Sequence, residues 1–152
     1  MKTEMQVLER LKATMVSQLN SYIETQGNIA PESIDASNIE IDFPDPDSMR
    51  KNSMLYIQPD NESLEALSMS SDIATMNASV FILCKGARSS ALIHKVFGYY
   101  SALYRMLRSN QTLSGYIEGL MVTDMDYFPQ VSASRTMTAI EVHLQMQWSK
   151  EF

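Results

Sequence analysis

The sequence predicts one α+β domain, a single antiparallel β-sheet of about four to five strands with two main helices packed on one face. Three observations lead there. Residues 4–24 and 90–109 repeat their apolar side chains at helical spacing. Several other stretches alternate apolar and polar residues at period two, as half-buried strands do. Most of those stretches follow one another with only turns between them, which suits antiparallel neighbours, whereas parallel strands need crossovers. With 152 residues, 45% hydrophobic and 20% charged, residues 1–152 read as one domain with a real core. No internal repeat, low-complexity tract or linker divides them.

The first helix, 4–24, places Val7, Leu8, Leu11, Met15, Leu19, Tyr22 and Ile23 on one face and Glu9, Arg10, Ser17 and Asn20 opposite. Gly27 is its natural stop. A strand is expected over 38–43, where Ile39, Ile41 and Phe43 share a face, and it ends at the prolines of PDPD. A second short strand covers 54–59, and PDNES (59–63) reads as a turn. The stretch 64–70, LEALSMS, fits a short strand or a helical turn equally well. A long strand follows at about 73–85, with Ala74, Met76, Ala78, Val80, Ile82 and Cys84 on one face. Its other face starts polar at Thr75, Asn77 and Ser79 and turns apolar at Phe81 and Leu83, so one end should be covered on both sides.

Ser89 or Ser90 is positioned to cap the second helix. Its apolar arc holds Leu92, Ile93, Val96, Phe97, Tyr99, Tyr100, Leu103, Tyr104 and Leu107. The opposite arc carries Ala91, His94, Lys95, Gly98, Ser101, Ala102, Arg105 and Arg108. Strands are expected at 118–128 and at about 136–149, joined by PQVSASR. In the last of them Ile140, Val142, Leu144, Met146 and Trp148 form a core face, while Glu141, His143, Gln145 and Gln147 form a polar one.

The chemistry visible in one dimension is sparse. Net charge is −6, from 18 acidic and 12 basic residues, which disfavours a general DNA-binding surface. One cysteine, Cys84, excludes an intrachain disulfide and a multi-cysteine zinc site, and it is expected to be a buried, inert thiol. The N-terminal residues have no uninterrupted signal-peptide core, and no apolar run approaches the ~20 residues of a membrane span. His94 is expected in solvent. His143 has no second ligand at a usable sequence spacing. Asp42, Asp45 and Asp47 lack the glycine and closing glutamate of a calcium loop. Asp124 and Asp126 lie two apart on a strand face, which suits solvation as well as general acid/base work. No nucleotide-binding, nucleophile-elbow or metalloprotease motif is present, so no catalytic residue, cofactor or metal is expected. Twelve methionines read as adaptable core filling. The small residues Ala91, Gly98 and Ala102 form a stripe where another element or subunit could approach closely, offsetting the ~1 kcal/mol that a mid-helix glycine costs.

The layout resembles the tail terminator and tail-completion proteins of long-tailed bacteriophages and prophages. The resemblance rests on three stretches. An acidic, proline-bearing turn leads into a short apolar strand (IDFPDPDSMRKNSMLYIQP). A long strand runs straight into the second helix (IATMNASVFILCKG, then SSALIHKVFGYYSALYRML). The chain closes with a strand, an aromatic-proline loop and a strand (TDMDYFPQVSASRTMTAIEVHLQMQW). The resemblance implies a non-enzymatic virion component of the tail or neck, assembled in the host bacterial cytoplasm. It would be a homo-oligomeric ring, usually a hexamer, that caps the tail tube and docks the head or neck connector. DNA would be cargo through an acidic lumen, and no membrane would be involved. The interface residues expected on this reading are Glu141, His143, Gln145 and Gln147, with Tyr127, Phe128 and Arg135 of the loop, and Ala91, Gly98 and Ala102 of the small stripe. Two other readings stay open: a small ligand-binding domain or enzyme built on Asp124, Asp126 and His143, and a partner-binding regulatory domain.

Overall fold

Helix α1 occupies Glu4–Glu24 in the computed structural model, which describes residues 2–87, 89–131 and 136–151. Its start is a capping box: Thr3 accepts from the Gln6 amide, and the Gln6 side chain accepts from the Thr3 amide. The chain leaves the helix at Thr25 and turns at Gly27, whose φ of 69° is the left-handed conformation glycine tolerates best. The strands are β1 (Ile39–Ile41), β2 (Ser53–Ser68), β3 (Ser71–Lys85), β4 (Gly119–Phe128) and β5 (Met137–Glu151), with α2 (Ser90–Ser109) between β3 and β4. Ser89 holds the N-cap position of α2, but its hydroxyl makes no capping bond.

The sheet runs β1-β2-β3-β5-β4. It is mixed, not purely antiparallel as expected, because β1 pairs parallel with β2. No helix is needed for that return. Residues 42–52 bring the chain back against the outer face of the sheet and bury Met49 there. Asn38 Nδ2 donates to the Ser53 carbonyl at 2.9 Å and ties the two strand starts together. The other pairings are antiparallel. β3 and β4 therefore run parallel with β5 inserted between them, a split β-α-β unit closed by α2.

Both helices pack on one sheet face. Val7, Leu11, Met15 and Leu19 of α1, Val96, Tyr99 and Leu103 of α2, and Leu55, Met76, Val80, Ile82, Val142, Leu144 and Trp148 of the sheet join one buried cluster. A second, smaller cluster covers one end of the opposite face, where Met49, Met54, Tyr56, Leu83, Met137 and Ala139 meet Phe81 and Val131. The change from polar to apolar along β3 has this cause.

PDNES is not a turn. β2 runs through it and through LEALS to Ser68, and the hairpin turns only at residues 69–70. Pro59 is tolerated because β1 pairs only with Leu55–Ile57 and the ladder slips between Pro59 and Asn61. An edge position next to a bulge is where a strand accepts proline.

The apolar arc of α2 is rotated from its expected position. Ile93, Phe97 and Tyr104 remain 46%, 37% and 38% exposed, while Gly98, Ala102 and Met106 are buried. The Gly98 side of the helix receives the connection that follows α1. The aromatic side extends past the β4 edge, where Phe97 meets Tyr127 at 5.2 Å between ring centroids.

An ion cluster pins the start of α1 to the far end of the sheet. Lys150 pairs with Glu4 and, at 3.0 Å, with Glu62. The Lys150 hydrogen bond lowers the Glu4 carboxyl to about 2, whereas burial and the neighbouring Glu4 raise Glu62. A depressed carboxyl stabilises the fold above its unfolded value near 4.5 and stops doing so as pH falls towards 2. Glu4 is partly exposed, so solvent screening limits the pair to about 1 kcal/mol. Lys150→Met should lower stability to urea by about that amount at pH 7, and the gap from the parent should narrow at pH 3. An equal gap at both pH values would rule out the linkage.

Candidate functional site

The outer face of the sheet, away from the helices, carries the densest polar chemistry. Alternation puts Thr75, Asn77 and Ser79 of β3 beside Gln147, Gln145 and His143 of β5. The amides form rungs. Asn77 Nδ2 donates to Asn61 Oδ1 at 2.7 Å, and Gln145 Nε2 donates to Asn77 Oδ1 at 3.5 Å. Gln147 Nε2 donates to Thr75 Oγ1 at 3.5 Å.

One row along, a polar chain crosses four strands. Ser79 Oγ lies 3.1 Å from Asp60 Oδ2 of β2 and 2.8 Å from Glu141 Oε2 of β5. It is also 3.4 Å from His143 Nδ1. On the other side of the ring, His143 Nε2 stands 2.8 Å from Asp126 Oδ2 of β4. Partial burial of His143 opposes protonation, but the Asp126 hydrogen bond and the charges of Glu141, Asp124 and Asp126 outweigh it and raise the pKa.

Two β-bulges build this cluster. β4 slips register between Val122 and Asp124. Before the slip Leu120 and Val122 face the core; after it Met125 and Tyr127 do, so Asp124 and Asp126 swing to the outer face beside His143 and Glu141. The β2 bulge at Asp60 sits across the same row. Bulges on edge strands commonly re-aim side chains in this way. The signal was present in the sequence. In LMVTDMDYF the apolar phase moves from even to odd positions between Val122 and Met125.

The sheet thus supplies His143 with partners that its sequence spacing lacked. Asp124, Asp126 and His143 place one ligand atom each within 4.8 Å of one another, a donor set with cation-binding chemistry. Ser79, His143 and Asp126 are also in line, but Ser79 is fully buried, and its hydroxyl is held by Glu141 and Asp60. A nucleophile needs access and a place for the reacting atom. One groove, of about 210 Å³, lies on the outer face beside Thr75, Gln145 and Gln147; others open at the α2 N-terminus, by Lys2 and Trp148, and around Asn38 and Lys51, and none of these is lined by Ser79, His143 or Asp126.

The remaining expected residues are dispersed. Glu141, His143 and Gln145 are half-buried and Gln147 is exposed, all on the outer face. Tyr127 and Phe128 belong to the end of β4 and point to opposite sides: Tyr127 packs on the core beside Phe97, and Phe128 is partly exposed. Arg135, with Ser132, Ala133 and Ser134 of the loop, lies outside the described residues. Ala91 is exposed, but Gly98 and Ala102 are buried inside the protomer and offer no surface to a neighbour. The close approach that Gly98 permits is internal, to Pro31 and Gln26. Cys84 is buried, and burial pushes its thiol up to about 11, which fits an inert role. His94 and the acidic Asp42, Asp45 and Asp47 are exposed.

No protein-family model and no curated protein matches the chain. Among solved structures, a chain described as "Virion of native gene transfer agent (GTA) particle" aligns with 90% of this chain and 95% of its own length. The TM-score is 0.45 and the identity 9%. A likeness of that size carries no functional argument. No helix among the described residues is long and apolar enough to cross a membrane.

Proposed function

We propose that this chain is a structural subunit of a phage-type tail, forming a ring, hexameric by its resemblance, that caps the tail tube and joins it to the head or neck. The observation that carries the reading is the outer sheet face. It is broad, it carries a groove of about 210 Å³ beside Thr75, Gln145 and Gln147 that a neighbour's side chain could enter, and its amides keep hydrogen-bonding capacity after their internal rungs are made. Such a face suits a neighbouring subunit better than a small substrate, because ligand sites are concave and mostly apolar. Asp60, Glu141, Asp124 and Asp126 make it acidic, which suits a surface that DNA passes without adhering. The virion is the location that follows, with tube and connector proteins as partners and no membrane.

Sedimentation over a range of concentrations and salts, with negative-stain imaging of the protein and of its mixture with tail tubes, tests the reading. Closed rings, alone or on tube ends, are expected. A chain that stays monomeric and ignores tubes defeats it. Gln145→Arg and Gln147→Arg should leave the melting temperature within a few degrees of the parent and abolish assembly. Normal assembly by both variants would mean that this face sees only solvent.

The Asp124–Asp126–His143 set favours a second reading, a cation- or ligand-binding domain. Replacing all three with Ala would abolish any binding housed there, and binding that survives would remove the site.

A further inference from the structure

We propose that the acid-free face of α2 in one copy lies along the outer side of β4 in the next, with Arg105 and Arg108 meeting Asp124 and Asp126. The contact rests on the ring reading and names what the outer face receives. Charge divides the two surfaces within one chain. α2 contains no aspartate or glutamate, although acidic residues outnumber basic ones by 18 to 12 overall. Its exposed side carries His94, Arg105 and Arg108 next to Phe97 and Tyr104. Lys95 is taken up by Glu32. Arg105 donates to the Thr25 hydroxyl at 2.9 Å and stands over the Tyr22 ring, but neither arginine has a carboxylate partner among the described residues. β4 is the reverse. It contains no lysine or arginine, and Asp124 and Asp126 are exposed on its outer side. With Asp60 and Glu141 they set four carboxylates against the single imidazole of His143, so the row stays negative even when that imidazole is protonated. Lys150 of β5 is held by Glu4 and Glu62 and does not offset it.

Spacing agrees as well as sign. Asp124 and Asp126 stand about 7 Å apart along the strand, and Arg105 and Arg108 about 4.5 Å apart along the helix, a difference that two long side chains cover. Beyond Asp124 the same side of the sheet opens into the groove of about 210 Å³ between Gly119 and Met121 of β4 and Gln145 and Gln147 of β5. Its centre lies roughly 12 Å along β4 from Asp124, and Phe97 lies about 12 Å along α2 from Arg105. A helix running in the same direction as β4 therefore brings Arg108 to Asp126, Arg105 to Asp124 and the exposed edge of Phe97 to the groove. The three helix residues fall within about 80° of one another around the axis. Met121, Asp124 and Asp126 all pair with outer residues of β5, namely Gln145, His143 and Glu141, so each set lies on one side of its element. An aromatic side chain in a pocket anchors such a contact, and the charges fix its register. The two surfaces are different patches of one chain, so the contact is head-to-tail, the kind that closes into rings.

The test reverses the charges in the full chain, with Arg105→Asp/Arg108→Asp as one variant and Asp124→Lys/Asp126→Lys as the other. Thermal melts check that both fold. Sedimentation velocity and negative-stain imaging then read assembly under conditions where the parent forms rings. Either variant alone is expected to need on the order of a hundredfold more protein for half-assembly, because like charges now face each other. An equimolar mixture is expected to recover rings of alternating copies, since every junction between unlike copies again joins opposite charges. A chain with all four reversals is expected to assemble by itself. Phe97→Ala, with the charges intact, should weaken assembly by at least about tenfold. Normal rings from either folded double variant, or no recovery in the mixture and in the folded fourfold chain, would overturn this contact while leaving the ring reading standing. A parent chain that never assembles, with or without tubes, removes both.

Discussion

Leu144→Asp should abolish folding, leaving no soluble protein with a cooperative melt. Leu144 is 1% exposed in the middle of β5, level with Ala78 of β3 and Val122 of β4, and it packs under both helices. Removing the leucine forfeits about 2–5 kcal/mol of burial and packing. Burying a carboxylate without a partner costs several kcal/mol more, whether the group stays ionised or takes up a proton. Together these rival the ~5–15 kcal/mol by which a domain is stable. Two controls sharpen the result. Leu144→Met keeps the volume and should cost less than ~1.5 kcal/mol. Gln145→Asp places the same carboxylate one residue along, on the outer face, and should fold. Circular dichroism and soluble yield decide it, and a folded, soluble Leu144→Asp protein would show that the two faces of β5 are assigned the wrong way round.

Gly98→Val should lower stability by about 2–3 kcal/mol, a fall in Tm of roughly 5–10 °C for a domain of this size. A Cβ at residue 98 would stand 2.9 Å from Pro31 Cδ, 3.2 Å from Pro31 Cγ and 3.3 Å from Gln26 Oε1. The proline ring cannot rotate away, and Gln26 is held by its own bond to the Gly98 carbonyl at 2.8 Å. Alanine would recover ~1 kcal/mol of helix propensity against that clash, so Gly98→Ala should be close to neutral or mildly destabilising. Valine adds two methyl groups to the collision. If the clash with Pro31 is the cause, Pro31→Ala should cost the Gly98→Ala protein less than it costs the parent. A Gly98→Val protein that melts like the parent but fails to assemble would instead place Gly98 at an interface between copies.

What local pattern could decide, it decided well. The bounds of both helices, the long β3 strand and the core face of β5 follow from side-chain period alone, because a helix or a half-buried strand writes its buried face directly into residue order. Cys84 was legible for the same reason, since it continues the apolar face of β3. PDNES was misleading because turn residues are also tolerated at a bulged strand edge, and only the neighbours of Pro59 reveal which case applies. At Gly98 a small residue does mark a close approach, but residue type does not say whether the approaching group is Pro31 of the same chain or another subunit.

Residue order is enough for the α+β class, the two helices and the core face of β5. Tertiary structure alone decided the parallel pairing of β1, the fate of Gly98 and the union of Asp60, Ser79, Glu141, His143 and Asp126 in one row. The physical reason is range. Periodicity reports the environment of residues a few positions apart, whereas Asp60, Ser79, His143 and Asp126 share one row only because four strands align in register and two bulges turn the Asp60 and Asp126 carboxylates to the same side.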